Sequence, residues 1–318
     1  MKNILLIGGA GYIGGCLTDQ LLQKGYNVTV FDRLLYEERF LKDVPLVFGD
    51  LRDTKLLLDI ERKYDTIVWL GAIVGDGACA QDPELTYEVN YLSVKRFLNA
   101  TKRKLIYPST CSVYGAQDGL LTEKCPARPL SVYAETKYLA EQAVLEHGGM
   151  AFRLGTLFGL GDAFSRLRLD LVINVLTYKA LKENKITVFG GDQWRPILAV
   201  RDVAAFLVEA VTRDYNEVFN LAMKNVRIKD CAEIYRNIFP NLTVEVVETK
   251  FEDQRNYRVS TEKADKAFIF RPCTSVEEEV HRMLNVLRTG RIKNPLDSRY
   301  YNTHHVKATL DEIRRFEV

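Results

Sequence analysis

Along the first 150 residues, short apolar runs alternate with longer stretches whose apolar positions recur at helical spacing. The short runs, over 4–7, 28–31, 46–48, 67–70, 105–107 and 151–154, are continuous and rich in β-branched residues. Strands buried on both faces read this way. Between them the periodicity predicts helices over 12–24, 55–62, 85–102 and 132–147. Alternation of this kind implies right-handed crossovers and a mostly parallel sheet, hence an α/β, doubly wound architecture.

Beyond about residue 155 the rhythm changes. Helical patterns persist over 169–182 and 203–213, while strand-like runs become short and isolated, as over 242–247. The expected division is a dinucleotide-type domain over 1–155 and a smaller, mainly substrate-facing lobe over 156–318. Segments 203–213 and 217–221 are expected to return to the main sheet. A tail beginning near Gly290 carries Arg299-Tyr-Tyr-Asn302 and ends in a short helical pattern.

Composition narrows the partners. Lys+Arg (44) nearly cancels Asp+Glu (42) in the 318 residues, so no basic field points to nucleic acid or an anionic membrane. The N-terminal apolar run breaks into glycines too early for a signal peptide, and no apolar stretch reaches the roughly 18 residues of a membrane span. Six scattered cysteines lack CxxC pairing and four histidines lack metal-ligand spacing, so reduced thiols, a cytoplasmic setting and no metal are expected.

Gly8, Gly11 and Gly14 follow the first strand and open the first helix, with Tyr12 and Ile13 between them. Such glycines allow a tight turn, backbone approach to a pyrophosphate, and close packing of helix on strand. The helix N-terminus adds donors for phosphate. Asp32 ends the second strand eighteen residues after Gly14, where a carboxylate accepts from both hydroxyls of an adenosine ribose. It would repel a 2′-phosphate, favouring NAD over NADP, although Arg33 next door is a cation able in principle to meet that phosphate. Asp50 and Leu51, after the third strand, are placed to meet adenine.

Tyr133 and Lys137 lie four apart on one helix face, a spacing that Tyr91/Lys95 and Tyr178/Lys182 share. What distinguishes Tyr133 is Thr110, 23 residues earlier at the end of the fifth strand, which faces the cofactor crevice in a parallel sheet. Taking hydride from a sugar carbon requires removing the proton of its hydroxyl. A phenol of pKa about 10 is a poor base until an ammonium stabilises its phenolate.

Together these residues resemble the extended short-chain dehydrogenases/reductases, specifically the nucleotide-sugar epimerase/dehydratase group. Its motifs recur in order as Gly8-Gly-Ala-Gly-Tyr-Ile-Gly14, Asp32, Gly49-Asp-Leu-Arg-Asp53, Leu70-Gly-Ala72 and Asn90. They continue as Pro108-Ser-Thr-Cys-Ser-Val-Tyr-Gly115, Tyr133-Ala-Glu-Thr-Lys137 and Arg195-Pro-Ile-Leu-Ala-Val-Arg-Asp202. The resemblance implies a Rossmann-type fold, bound NAD, Tyr133 as acid/base, Lys137 on the nicotinamide ribose, and Thr110 assisting. Leu70 and Ala72 would lie along the cofactor, and Arg195 and Arg255 would clamp a sugar-nucleotide diphosphate. It also implies a homodimer formed through 85–102 and 132–147.

Departures narrow the reaction. The 4,6-dehydratases of this group follow the threonine with Asp-Glu, whereas Cys111-Ser112 stands here. Thr156 occupies a place where many members carry asparagine against the diphosphate, and the segment from Arg166 to Asn174 resembles that of sugar-nucleotide C4 dehydrogenases. The expected activity is hydride transfer at C4 of a nucleotide-sugar, as a 4-epimerase or C4 dehydrogenase, or in reverse a ketoreductase. The competing expectations are a non-catalytic dinucleotide-binding regulator and an enzyme for a non-nucleotide substrate.

Overall fold

The computed structural model describes residues 2–36, 39–162, 166–247 and 256–316. Its first half runs β1 (Asn3–Ile7), α1 (Tyr12–Gln23), β2 (Asn27–Asp32), β3 (Leu46–Phe48), α2 (Thr54–Glu61) and β4 (Thr66–Trp69). Next come α3 (Asp76–Cys79), α4 (Pro83–Tyr87), α5 (Ser93–Ala100), β5 (Leu105–Thr110), β6 (Ala116–Leu121), α6 (Val132–Glu146) and β7 (Met150–Leu154). The second half holds β8 (Thr156–Phe158), α7 (Val172–Glu183), β9 (Lys185–Phe189), β10 (Trp194–Ala199), α8 (Val200–Ala210), β11 (Val218–Leu221) and β12 (Lys224–Arg227). It closes with α9 (Ile228–Ile238), β13 (Thr243–Val247), β14 (Asn256–Val259), α10 (Glu262–Ala267), α11 (Val276–Arg288), α12 (Asn302–Ala308) and α13 (Leu310–Arg314).

Seven strands form one sheet in the order β11-β7-β5-β4-β1-β2-β3, every neighbouring pair parallel. This is the doubly wound Rossmann-type α/β fold that the alternation predicts. Period-two alternation divides each strand between two cores. Leu5, Ile7, Phe31, Ile67, Trp69 and Tyr107 pack on α2, α5 and α6. Ile4, Leu6, Val30, Val68, Phe152 and Phe219 pack on α1, α8 and α10. Both faces are covered, which is why the strands read as unbroken apolar runs. The winding reverses between β1 and β4, and a crevice opens there beyond the strand C-termini.

The helix expected over 85–102 starts earlier and is interrupted. Asp82 accepts from the Leu85 amide and Pro83 fills the first helical position, so α4 begins at Pro83. A π-turn over Glu88–Leu92 then inserts before α5 and turns Asn90 inward. There Asn90 Oδ1 accepts from Ile73 N (2.7 Å), and Nδ2 donates to Ile73 O (2.9 Å). One buried amide thus ties the loop after β4 to the helix.

Past residue 155 the chain serves two structures. β11 lies beside β7 in the main sheet, and α8 packs on α1. The remainder forms the small sheets β12-β10-β8 and β13-β9 around a core of α7, α9 and α11, and β14 pairs with β6 of the first half over a separate cluster of Val113, Tyr114, Leu121, Tyr257 and Val259. The tail folds back on the first half: Val306 and Ile313 are buried among Ile73, Cys79, Leu85 and Val89. Among the described residues no helix is long and apolar enough to cross a membrane, no cluster of His, Cys, Asp and Glu suits a metal, and the six cysteines are unpaired.

Candidate active site

A cavity of about 1270 Å³ runs from the glycine turn across the strand C-termini to β9, β10 and α7. A single-ligand pocket is roughly 300–1,000 Å³, so there is room for a dinucleotide and a second large molecule.

At one end, each glycine of the turn has its own physical reason. Gly8 takes φ +78°, and a Cβ there would lie 2.3 Å from Gly71 N, because the loops after β1 and β4 touch. A Cβ on Gly14 would lie 2.3 Å from Gly9 O. A Cβ on Gly11 would meet nothing nearer than Gly8 O at 3.5 Å, so protein packing does not require glycine there. It would instead occupy the cavity that Gly11 borders, at the end of α1, which no side chain caps. A helix N-terminus left open in this way can take a phosphate.

Asp32 borders the same cavity, its Oδ1 accepting from Leu34 N (2.7 Å) and its Oδ2 from Ala10 N (3.0 Å). Burial raises its pKa above the usual carboxylate value, against the pull of those amides and of Arg33. Tyr12 lines the cavity with its ring and donates its hydroxyl to Gly159 O (2.6 Å), joining the turn to the second half of the chain. Ile13, Leu70 and Ala72 also line it, and the Leu51 side chain packs over Gly71. These residues fit NAD: the glycine turn would hold its pyrophosphate and Asp32 its adenosine ribose.

Asp50 departs from the expectation. Its Oδ1 accepts from Arg52 N (2.9 Å) and Nε (2.8 Å), and its Oδ2 from Arg33 Nη1 (2.6 Å) and Arg52 Nη2 (2.8 Å). Two guanidiniums hold the carboxyl below the usual range, although burial acts the other way. With about four lone-pair sites all filled, no acceptor is left for an adenine amino group. Arg33 likewise commits three of its five N–H donors, to Asp50 and to the carbonyls of Glu312 (3.1 Å) and Ile313 (3.4 Å).

In the middle of the cavity β5 and α6 converge. Thr110 ends β5, its hydroxyl accepting from Ser112 N (3.1 Å) and facing the Tyr133 phenol, where it favours the ionised form. Burial dominates at Tyr133 and raises its pKa well above 10, with Cys79 and Asp76 adding to the rise and Arg168 opposing it. Lys137 lies one turn along α6, with Nζ 4.0 Å from the centre of the Tyr107 ring. Burial lowers its pKa to about 7, against the pull of Glu141. Ser131 caps α6 and donates to Asp76 Oδ1 (2.6 Å), fixing the helix end that presents Tyr133. Cys111 is fully buried, donates to Arg153 O, and is pushed away from thiolate by burial, so it is a packed thiol.

At the far end Thr156 and Arg195 line the cavity. Arg195 is 5% exposed and lies over the Tyr257 ring, 6.0 Å from its centre. Arg255 lies outside the described residues. Asn174 is a correction: it does not reach the cavity wall. Its amide is consumed by Gly159 N (2.8 Å) and O (3.3 Å) and by Arg168 O (2.8 Å), bracing the turn that Tyr12 also grips. The wall is supplied instead by its neighbours Arg166, Arg168 and Asp170, with Tyr36 and Asn302 completing it. Tyr36, Asp76 and Ile313 carry no motif and escape sequence reading, and Asn302 stands in a tail segment that the sequence singles out without a role; the folded chain alone brings them here.

The chain resembles proteins of known activity. It is 34% identical over 155 residues to a UDP-glucose 4-epimerase of Rhizobium meliloti, a match spanning 46% of this chain and 47% of that one. A UDP-glucose 4-epimerase of Corynebacterium glutamicum is 25% identical over 298 residues, 85% of this chain and 91% of the relative. Among solved structures, UDP-glucose 4-epimerase of Thermotoga maritima with UDP-glucose superposes with TM-score 0.80 at 21% identity, covering 91% and 99% of the two chains. UDP-glucuronic acid 4-epimerase of Bacillus cereus, in complex with UDP-glucuronic acid and NAD, gives TM-score 0.77 at 23% identity over 90% and 99%. At these identities the superpositions establish the fold. The chain spans about half the length of the first curated relatives it matches. The family profile reaches further, matching residues 4–222, from β1 through the glycine turn and α6 to β11. On that match the chain belongs to the NAD dependent epimerase/dehydratase family.

Proposed function

We propose that this enzyme transfers hydride at C4 of the sugar in a nucleotide-sugar, as a 4-epimerase or C4 dehydrogenase, with Tyr133 as acid and base. The observation that carries this reading is that partly buried Tyr133 and buried Lys137 line the same cavity as the glycine turn, with Thr110 facing the phenol. When bound, NAD supplies the hydride acceptor and a positively charged ring. Tyr133 takes the proton of the C4 hydroxyl as the carbon–hydrogen bond breaks. Lys137, as ammonium, holds the phenolate form and the nicotinamide ribose; Thr110 orients the sugar oxygen. Thr156 and Arg195 line the far end of the cavity, and on this reading they, with Arg255 by resemblance, would hold the diphosphate of the substrate.

Cys111 and Ser112 follow Thr110 where elimination of water would call for carboxylates, which supports a simple oxidation. Several curated relatives are named 4-epimerases of UDP-glucose or UDP-arabinose, which points the same way, and one is a UDP-glucuronic acid decarboxylase.

The test is incubation of the purified protein with NAD and UDP-, dTDP-, GDP- or CDP-linked sugars, with products identified by NMR. The C4 epimer is expected if the keto sugar is reduced in place, and a 4-keto sugar with NADH if it leaves. Tyr133→Phe should lower turnover about 10²- to 10⁴-fold while NAD still binds. If folded, NAD-binding protein turns over none of these sugars, the reading is wrong.

A further inference from the structure

We propose that the C-terminal segment, α12 and α13 with Arg315 and Phe316, is a working part of the cofactor site: by holding Arg33 it makes the site refuse a 2′-phosphate. This rests on placing the adenosine ribose at Asp32.

Ile313, near the end of α13, borders the cavity alongside Asp32, Arg33, Asp50 and Leu51. Carbonyls at a helix C-terminus lack intrahelical donors and accept from cationic side chains. Here two guanidiniums supply them. Arg33 Nη2 donates to Glu312 O (3.1 Å) and Nη1 to Ile313 O (3.4 Å), while Arg52 Nη2 donates to Ile313 O (2.7 Å). Both arginines are joined through Asp50, and the Phe316 ring lies 4.7 Å from the Arg52 guanidinium carbon. The Asp50 carboxylate balances one of the two positive charges. The tail carbonyls take two of the donors that Arg33 would offer to an anion.

The segment is anchored independently of those arginines. Val306 and Ile313 are 1% and 2% exposed, in the apolar cluster of Ile73, Ala78, Cys79, Leu85 and Val89. Arg314 Nε pairs with Asp82 Oδ2 (2.7 Å), and the His305 ring bonds Leu35 O (2.7 Å). Asn302 donates to Val74 O (2.8 Å) and accepts from Arg166 Nη2 (2.8 Å). The docking therefore survives loss of Arg33, whereas Arg33 loses both its carbonyl partners if the segment leaves. An arginine directly after the ribose-binding acid would by itself offer NADP a phosphate contact. In this chain the tail withdraws that offer.

The experiment is calorimetric titration of cofactor-free protein with NAD and with NADP. All arms carry Asp32→Asn, which removes direct repulsion by that carboxylate while keeping its shape. The segment is undocked in the full chain by Ile313→Asp or by Arg314→Glu, and in a third variant by ending the chain at Thr309. Hydrogen exchange checks that β1 and β2 stay protected while 302–316 opens. With the segment docked, NADP should bind far more weakly than NAD, and adding Arg33→Ala should leave the ratio within about twofold. Undocking should raise NADP affinity relative to NAD about tenfold, as one charge-assisted hydrogen bond to phosphate is worth, and Arg33→Ala should cancel that gain. A ratio that undocking does not move, or a gain that survives Arg33→Ala, overturns the proposal. If the shortened chain does not fold, the two full-length variants decide. Asp32→Asn that leaves NAD affinity as it was would overturn the placement of the ribose instead, whatever the tail does.

Discussion

Lys137 carries the clearest cost at the residue scale. Its ammonium lies in a dry site, and burial lowers its pKa from 10.5 to about 7. Below about pH 7 the folded protein holds a poorly solvated charge that the unfolded chain would hydrate. The stability contribution of this group is therefore complete above about 10.5 and is lost as pH falls through about 7. Lys137→Met should raise the melting temperature at pH 6 by about 2 °C or more, less so at pH 9, while turnover collapses. Equal melting of the two proteins at pH 6 would show that the site is wetter than its geometry implies. The Thr110, Tyr133 and Lys137 set was legible because helix pitch and strand ends fix where such residues point. The state of Asp50 was not, because Arg33 comes from another strand end and meets it in the folded chain alone. Asn174 differs for a related reason: a polar residue in a cleft-lining segment reads as facing the ligand, and in the fold it faces backbone.

At the scale of elements, the main strands were readable because helices bury both their faces. β6, β12 and β14 were not, since Ala116–Leu121, Lys224–Arg227 and Asn256–Val259 lie at the edges of two- and three-stranded sheets and carry polar residues freely. The π-turn between α4 and α5 also left no mark in the helical pattern. Where elements meet, α11 contributes Glu279, fully buried, accepting from Leu160 N (2.6 Å) and paired with Arg282 (2.8 Å). It closes over the same turn that Tyr12 and Asn174 hold. Burial raises its pKa from 4.5 to about 7. Its stabilising contribution is full below about 4.5 and lost as pH rises through about 7. Glu279→Gln should flatten this dependence, so its melting temperature should gain on the unmodified protein between pH 5 and 8. Parallel curves over that range would assign the pH response elsewhere.

For the whole molecule, the boundary near residue 155 marks a change of rhythm rather than a division of the sheet. β11 and α8 come from beyond it and complete the first-half structure. We propose a second copy of the chain as quaternary partner, packed along α5 and α6, where Lys95 and Arg96 of α5 are exposed, Leu139 of α6 is half-buried, and Leu92, just before α5, is 37% exposed. Light scattering should give twice the 36.4 kDa of one chain, and Leu92→Arg with Leu139→Arg should return it to one. A single-chain mass for the unmodified protein would refute the pairing. The late arrival of β11 also bears on synthesis. β7 ends at Leu154 and its neighbour begins at Val218, so a growing chain presents Met150–Leu154 as an open edge until the next 64 residues are made. At ribosomal rates of roughly 5–20 residues per second that edge stands open for several seconds. Phe152 lies on it, without the Phe206, Phe219 and Phe268 rings that later surround it at 5.2, 5.8 and 5.8 Å. During that interval the nascent protein offers chaperones and fellow nascent chains a sticky strand that the finished enzyme never shows.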